Sequence, residues 1–222
     1  MGCTPSTPVS PILISLDGNI GAGKSTLLTA IKLAAPELTV LQEPVGDWLT
    51  LKNEEGESLL SLFYKDTPRW AYTFQNCAIL TRLIATQEAL KAYKPQVGKP
   101  PILITERSVL TDRYVFAEMM LEDGKMSKLE WDLYMKWFDA FAKKVPVKGI
   151  IHITTDPTQS KKRIVNRGRL GEESISLEYL SKLDQQHNKW MSTTTLPTLS
   201  LSTETSLEEN VELIRNFCYR FY

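Results

Sequence analysis

Residues 12–26 read ILISLDGNIGAGKST, and the reading of this stretch decides the fold. Its first five residues form a short, mostly apolar run of the length of a buried strand. Gly18-x-x-x-x-Gly23-Lys24-Ser25 follows at once, and helical spacing follows that. This is the strand–turn–helix context a P-loop requires. Glycines let main-chain N–H groups wrap a phosphate, and the helix N-terminus adds partial positive charge. Lys24 reaches toward the β- and γ-phosphates, and the Ser25 hydroxyl can hold Mg²⁺. A phosphate cradle is expected from Gly18, Asn19, Ile20, Gly21, Ala22, Gly23, Lys24, Ser25 and Thr26. The ligand it implies is ATP or another nucleoside triphosphate, with Mg²⁺.

Outward from this stretch, LTVLQ (38–42), ILIT (102–105), GIIHIT (149–154) and TLSLS (198–202) alternate with longer amphipathic segments. That alternation predicts an α/β architecture: a five-stranded parallel sheet flanked by helices. Helices are expected over 24–35, 69–93, 109–122, 128–143, 157–167, 176–193 and 206–219. Residues 54–68 read as a short, partly irregular connection, and KPQVGKPP (94–101) as a loop. Residues 1–11 carry prolines at 5, 8 and 11 and read as a flexible leader to a single domain over 12–222. The opening MGCTPS also fits a loose N-terminal acylation pattern, with Cys3 placed for a second lipid.

Composition narrows the partners. Lysine plus arginine (26) equal aspartate plus glutamate (26) over 222 residues, so no overall positive field draws the chain to nucleic acid or an anionic membrane. Cys3, Cys77 and Cys218 are widely spaced with no CxxC pair, against a disulfide framework or a zinc site. No apolar run reaches the ~18 residues of a membrane helix. A cytoplasmic protein is expected, with nuclear or mitochondrial placement left open.

The fate of the phosphate is read from three further stretches. A guanine-reading Asn-Lys-x-Asp is absent, which turns the reading from GTPases toward small kinases with an arginine lid. In QEPVGDW (42–48), Glu43 follows the second strand, where ligands of open α/β sheets bind, and is a candidate general base. In ILITERSVLTDRYVFA (102–117), Glu106 and Arg107 lie at a strand end. Glu106 can bind Mg²⁺ there, and Arg107 can span phosphate and the Glu43 carboxylate. In KKRIVNRGRLGEE (161–173), Arg163 and Arg167 share a helical face and Arg169 follows a glycine. The three suit a lid that neutralises a transferring phosphoryl group.

Taken in order, GNIGAGKST, EPVGDW, TPRWAYTFQ (67–75), ERSVLTDRYVFA, RGRLGEE and SLEYL (176–180) resemble the deoxyribonucleoside kinases, in their deoxycytidine/deoxyguanosine branch. The resemblance covers about residues 12–193. It implies a P-loop kinase fold in which Glu43, Arg107 and Lys24 are catalytic. It further implies that Tyr64 and Glu172 meet the deoxyribose 3′-hydroxyl, Gln75 reads the base edge, and Trp48, Phe74 and Phe116 enclose the base. Phosphate would pass from the triphosphate to the 5′-hydroxyl of deoxycytidine or a purine deoxynucleoside. Family members carrying Ala78, Arg82 and Asp112 together accept these substrates. Arg82 lies seven residues beyond Gln75, two turns along one helix face, so a pair with Asp112 at the base pocket would disfavour thymine.

The family pairs an acid with an aromatic beside the donor base, where this chain reads TETSLEE (203–209). The location is expected at Thr203–Ser206, with donor preference open between ATP and UTP. The segment from Trp48 to Tyr64 is shorter than in the longest family members. The family also dimerises through two helices matching 69–93 and 128–143, the latter carrying Leu129, Leu133, Trp137 and Phe141, so a homodimer is expected. Two other readings stay open: a thymidylate-type monophosphate kinase, and a non-catalytic nucleotide-binding protein.

Overall fold

The computed structural model describes residues 11–92, 100–169, 171–172 and 174–222. The leader through residue 10, with its acylation pattern, and the loop residues 94–99 lie outside the described residues. Five strands, β1 (Ile12–Gly18), β2 (Leu38–Leu41), β3 (Ile102–Glu106), β4 (Val147–Thr154) and β5 (Thr198–Ser202), form one sheet in the order β2-β3-β1-β4-β5. Every pairing is parallel, as the alternation of runs predicts. The chain leaves β1 toward β2 on one side and leaves β3 toward β4 on the other. The ends of β1 and β3 therefore flank a switch point, where open sheets bind ligands.

The sheet is covered on both faces. Ile14, Leu16, Ile104 and Ile151 pack with Leu28 and Ile31 of α1 (Lys24–Ala34) and with Ile214 and Phe217 of α10 (Leu207–Tyr219). Leu13 and Leu103 point to the opposite face, because strand side chains alternate. Beyond that face lies a helical layer: α2 (Val45–Thr50), α3 (Leu59–Lys65), α4 (Thr67–Ala92), α5 (Val109–Thr111), α6 (Glu118–Glu122), α7 (Lys128–Trp137), α8 (Pro157–Arg167) and α9 (Leu177–Thr193). Local signals set several of their ends. Ser127 and Glu130 form a capping box on α7, Ser176 and Ser206 cap α9 and α10, and Asp156 with Pro157 starts α8.

Two expectations need correction, and one helix is additional. The connection at 54–68 is irregular only as far as Glu57: Ser58 caps α3, whose Leu59, Leu60, Leu62 and Phe63 are all buried, and α4 begins at Thr67. Val45–Thr50 is helical as well. The helices over 109–122 and 128–143 are not uniform, since Asp112–Ala117 and Phe138–Ala142 are π-helical. Wider turns of this kind concentrate at functional sites, and the first of them begins on Asp112.

Candidate active site

The P-loop is shaped by close approach. A Cβ on Gly21 would lie 2.5 Å from the Ser160 carbonyl oxygen, and one on Gly18 would lie 2.7 Å from that of Ile153. Both also have positive φ, so only glycine fits there. Asn19 ties the loop to α9 by donating to the Leu180 carbonyl at 2.8 Å. Lys24 is buried, and its ammonium donates to the carbonyls of Asn19 (2.8 Å) and Gly18 (3.1 Å). Burial, and then the Arg107 charge, bring it down to about 7. The loop separates two clefts: Ile20, Gly21 and Lys24 face one, while Ala22, Gly23 and Thr26 face the other.

At the floor of the first cleft lies a buried array of charge. Arg107 Nη1 donates to both Glu43 oxygens at 2.7 and 2.8 Å, and its Nη2 reaches the Gly18 carbonyl at 3.3 Å. Arg107 adopts φ 58°, the one non-glycine with positive φ among the described residues. Such a conformation costs about 1–3 kcal/mol and is kept where the surroundings enforce it. Arg82 Nη2 donates to Glu43 Oε1 at 2.9 Å, and Arg82 Nε to Asp112 Oδ2 at 2.8 Å. Burial alone would push the Glu43 carboxyl up, but Arg107, Arg82 and Lys24 outweigh it and hold it down to about 2. Burial also pushes Asp112 up, against the pull of Arg82. The expected Arg82–Asp112 pair is thus present and buried; its link to Glu43 was not foreseen.

The Ser25 hydroxyl lies 3.1 and 3.2 Å from the two Glu106 oxygens. Among the described residues no group of three or more His, Cys, Asp or Glu is placed to hold a metal ion. One carboxylate and one hydroxyl beside a phosphate cradle nevertheless suit Mg²⁺, which keeps several waters and binds few protein groups.

Trp48, Tyr64, Phe74, Gln75, Ala78, Phe116 and Glu172 line the same cleft as Glu43, Arg82 and Asp112. Its empty volume is about 610 Å³ counted to the open mouth. Trp48 meets Phe74 edge to face at 5.3 Å, and Phe116 lies under the Arg107 guanidinium at 5.0 Å. Three buried polar atoms of cleft residues have no hydrogen-bond partner: Gln75 Nε2, Arg107 Nε and the Tyr179 hydroxyl. Leaving a buried donor unpaired costs about 1–3 kcal/mol, so three such atoms on residues lining one cleft favour a polar ligand there.

The three arginines expected to form a lid do not converge on one point. Arg167 and Arg169 line the first cleft and both pair with Glu172, Arg169 at 3.0 Å. Arg163 is exposed and faces the second cleft beside Gly23 and Thr26. Thr203 and Thr205 line that second cleft too, within the segment expected to meet the donor base.

Several residues escaped the sequence reading. Val45, Leu60, Phe63 and Tyr179 complete the first cleft. Phe63 stacks on Phe74 at 4.4 Å; its signal was the Ser58 cap followed by the apolar pattern of α3. Asp17, one residue before Gly18, is fully buried and accepts from the hydroxyls of Ser15 and Thr111, each at 2.5 Å. It fastens β1 to the turn before Asp112, and burial pushes its carboxyl up.

Residues 14–219 match the family model for deoxynucleoside kinase. The chain is 37% identical to a deoxycytidine kinase 2 of Gallus gallus, over 80% of this chain and 73% of that one. It is 36% identical to a deoxycytidine kinase of Homo sapiens, over 83% and 77% of the two chains. Against a mitochondrial deoxyguanosine kinase of Xenopus laevis the identity is 31%, over 89% and 83%.

Proposed function

The chain belongs to the deoxynucleoside kinase family, in its deoxycytidine/deoxyguanosine kinase branch, and from that premise we propose how its residues divide the reaction. It is a deoxynucleoside kinase, a phosphotransferase whose phosphate donor is a nucleoside triphosphate. Its acceptors are deoxycytidine and purine deoxynucleosides, phosphorylated on the 5′-hydroxyl. The observation that carries this is one cleft holding both ends of the task. At one end is a carboxylate fixed by two arginines, and at the other the unpartnered amide of Gln75.

The nucleobase lies between Trp48, Phe74 and Phe116, with Gln75 on its hydrogen-bonding edge and the Arg82–Asp112 pair beside it. Tyr64 and Glu172 take the 3′-hydroxyl. Glu43, ionised at any working pH, accepts a hydrogen bond from the 5′-hydroxyl and orients it. A base held that acidic takes the proton late, which suits a loose phosphoryl transition state. Lys24 and the P-loop N–H groups hold the phosphates, and a polyphosphate in place restores the full charge of Lys24. Ser25 and Glu106 would hold Mg²⁺, which when bound neutralises phosphate charge. Arg163, Arg167 and Arg169 close over the transferring group once the nucleotide supplies an anion to join them.

Residues 12–222 work as one catalytic domain. The unit is a homodimer joined through α4, α7 and the π-helical turn that follows α7, whose Leu80, Ile84, Leu129, Leu133, Trp137 and Phe141 are exposed rather than used in the intrachain core. Among the described residues no helix is long and apolar enough to cross a membrane, and the protein acts in the cytoplasm. A panel of deoxynucleosides with magnesium-ATP, scored for monophosphate, tests the reading. Deoxycytidine and purine deoxynucleosides are expected to be converted and thymidine poorly; conversion of thymidine alone would overturn it.

A further inference from the structure

We infer that Arg82 ties recognition of the nucleobase to the position of Glu43, so that a base of the wrong hydrogen-bonding sense slows the chemical step itself. The inference rests on the kinase reading above and deepens it.

One guanidinium points in three directions. Its Nε donates to Asp112 at 2.8 Å, its Nη1 to the Glu106 carbonyl at 2.9 Å and its Nη2 to Glu43 at 2.9 Å. The Arg82, Asp112 and Glu43 side chains are 4%, 2% and 7% exposed, so little water stands ready to replace a broken bond. The fork is planar and its donors are fixed relative to one another. It cannot turn toward a new acceptor at one end without leaving an old one at the other.

Asp112 and Gln75 line the same cleft, which sets Asp112 to meet the base edge. A base with an exocyclic amino group donates to Asp112 and leaves Arg82 where it is. A base with a carbonyl there sets acceptor against acceptor. Arg82 supplies the guanidinium that can answer it, and turning toward the carbonyl withdraws Nη2 from Glu43. The carboxylate keeps Arg107 but loses its second restraint. Reactions that depend on alignment lose rate steeply with small displacements. Discrimination then falls partly on the rate of transfer, where it is more effective than in binding alone.

Deoxycytidine and deoxyuridine differ at this edge by one group, amino against carbonyl, with no added methyl. Single-turnover rates extrapolated to saturating nucleoside read the chemical step, and nucleoside Kd is measured separately by fluorescence titration. For the unaltered protein the expected rate with deoxyuridine is at least ~10-fold lower, about 1.4 kcal/mol in the barrier, beyond any loss in Kd. In Arg82→Met the ratio of the two rates should close to within ~3-fold. Arg82→Lys retains a cation but reaches only one carboxylate, so the ratio should close there too, which guards against misfolding of the methionine variant. Equal single-turnover rates in the unaltered protein, with the whole penalty in Kd, would overturn the inference. So would a ratio unchanged in either variant. Failure to phosphorylate any deoxynucleoside would remove the kinase reading, and the inference with it.

Discussion

The two faces of α4 each hold residues expected on the other: Gln75, Arg82 and Thr86 lie buried among Ala71, Phe74, Ala78, Ile79 and Leu83, while large apolar side chains stand in solvent, Leu80 exposed at 56% and Ile84 at 45%. An ordinary surface helix buries its apolar stripe and shows its charges to water. Arg82 offsets its burial with two carboxylates and a carbonyl, whereas Gln75 Nε2 stays unpaired. Outside, Leu80 and Ile84 join Trp137 and Phe141 along an open apolar groove. Polar atoms left unpaired inside call for a ligand, and apolar rings left bare outside call for a protein surface.

The sharpest way to break this contrast is through the group the inner face holds. Glu43→Gln should lower turnover by at least ~100-fold, since the acid–base contribution is typically worth 10² to 10⁴. Nucleoside binding, read by fluorescence titration, should survive. Near-normal turnover would remove Glu43 from the chemistry. Next in size is the base pocket: Arg82→Met with Asp112→Ala should raise thymidine kcat/KM by at least ~10-fold, because it removes the pair that opposes a carbonyl and frees space for a methyl. Asp112→Ala alone should do less, for it leaves the Arg82 charge with one counterion fewer. No gain in the double variant would show that the pair does not read the base.

The outer face predicts a twofold effect. Light scattering at micromolar concentration should read two chains per particle, and Trp137→Glu with Phe141→Glu should reduce this to one. A single chain per particle in the unaltered protein would reject the dimer, whose interface should bury more than ~1,000 Å². The smallest effect concerns acid stability. The Glu43 carboxyl is held below its ordinary 4.5, at about 2, so its pairs contribute stability that is complete above about 4.5 and lost as pH falls toward 2. Urea unfolding of the unaltered protein and of Glu43→Gln should therefore differ most near neutrality and converge in acid. A difference independent of pH would mean that the carboxyl is not held low.

Reading such a helix from its sequence has a physical limit. Periodicity reports which residues share a face, and it placed Gln75 and Arg82 together. It cannot report which face is buried when polar residues go inward. The α3 helix was missed for another reason: Ser58 and the apolar pattern behind it were present, but the charged and glycine-bearing EEGE just before them dominated the window. The wide turns at Asp112–Ala117 and Phe138–Ala142 left no sequence mark, because they arise where packed layers impose a different pitch.

What the sequence alone determined is local: the parallel α/β order, the P-loop with its strand and helix, the later helices starting near 128, 157, 176 and 206, and the strand-end Glu106 and Arg107. Each of these depends on neighbours within a few residues, or on an alternation that any parallel sheet must show. What the tertiary structure decided is the wiring among distant residues. Glu43, Arg82 and the Arg107–Asp112 stretch come from three separate segments, and which guanidinium serves which carboxylate depends on how α4 settles between the sheet and the π-helical turn. Arg163 parts from Arg167 and Arg169 for a related reason: the P-loop lies between the two clefts they face. Buried charges select partners by geometry, and that geometry exists only once the layers have packed.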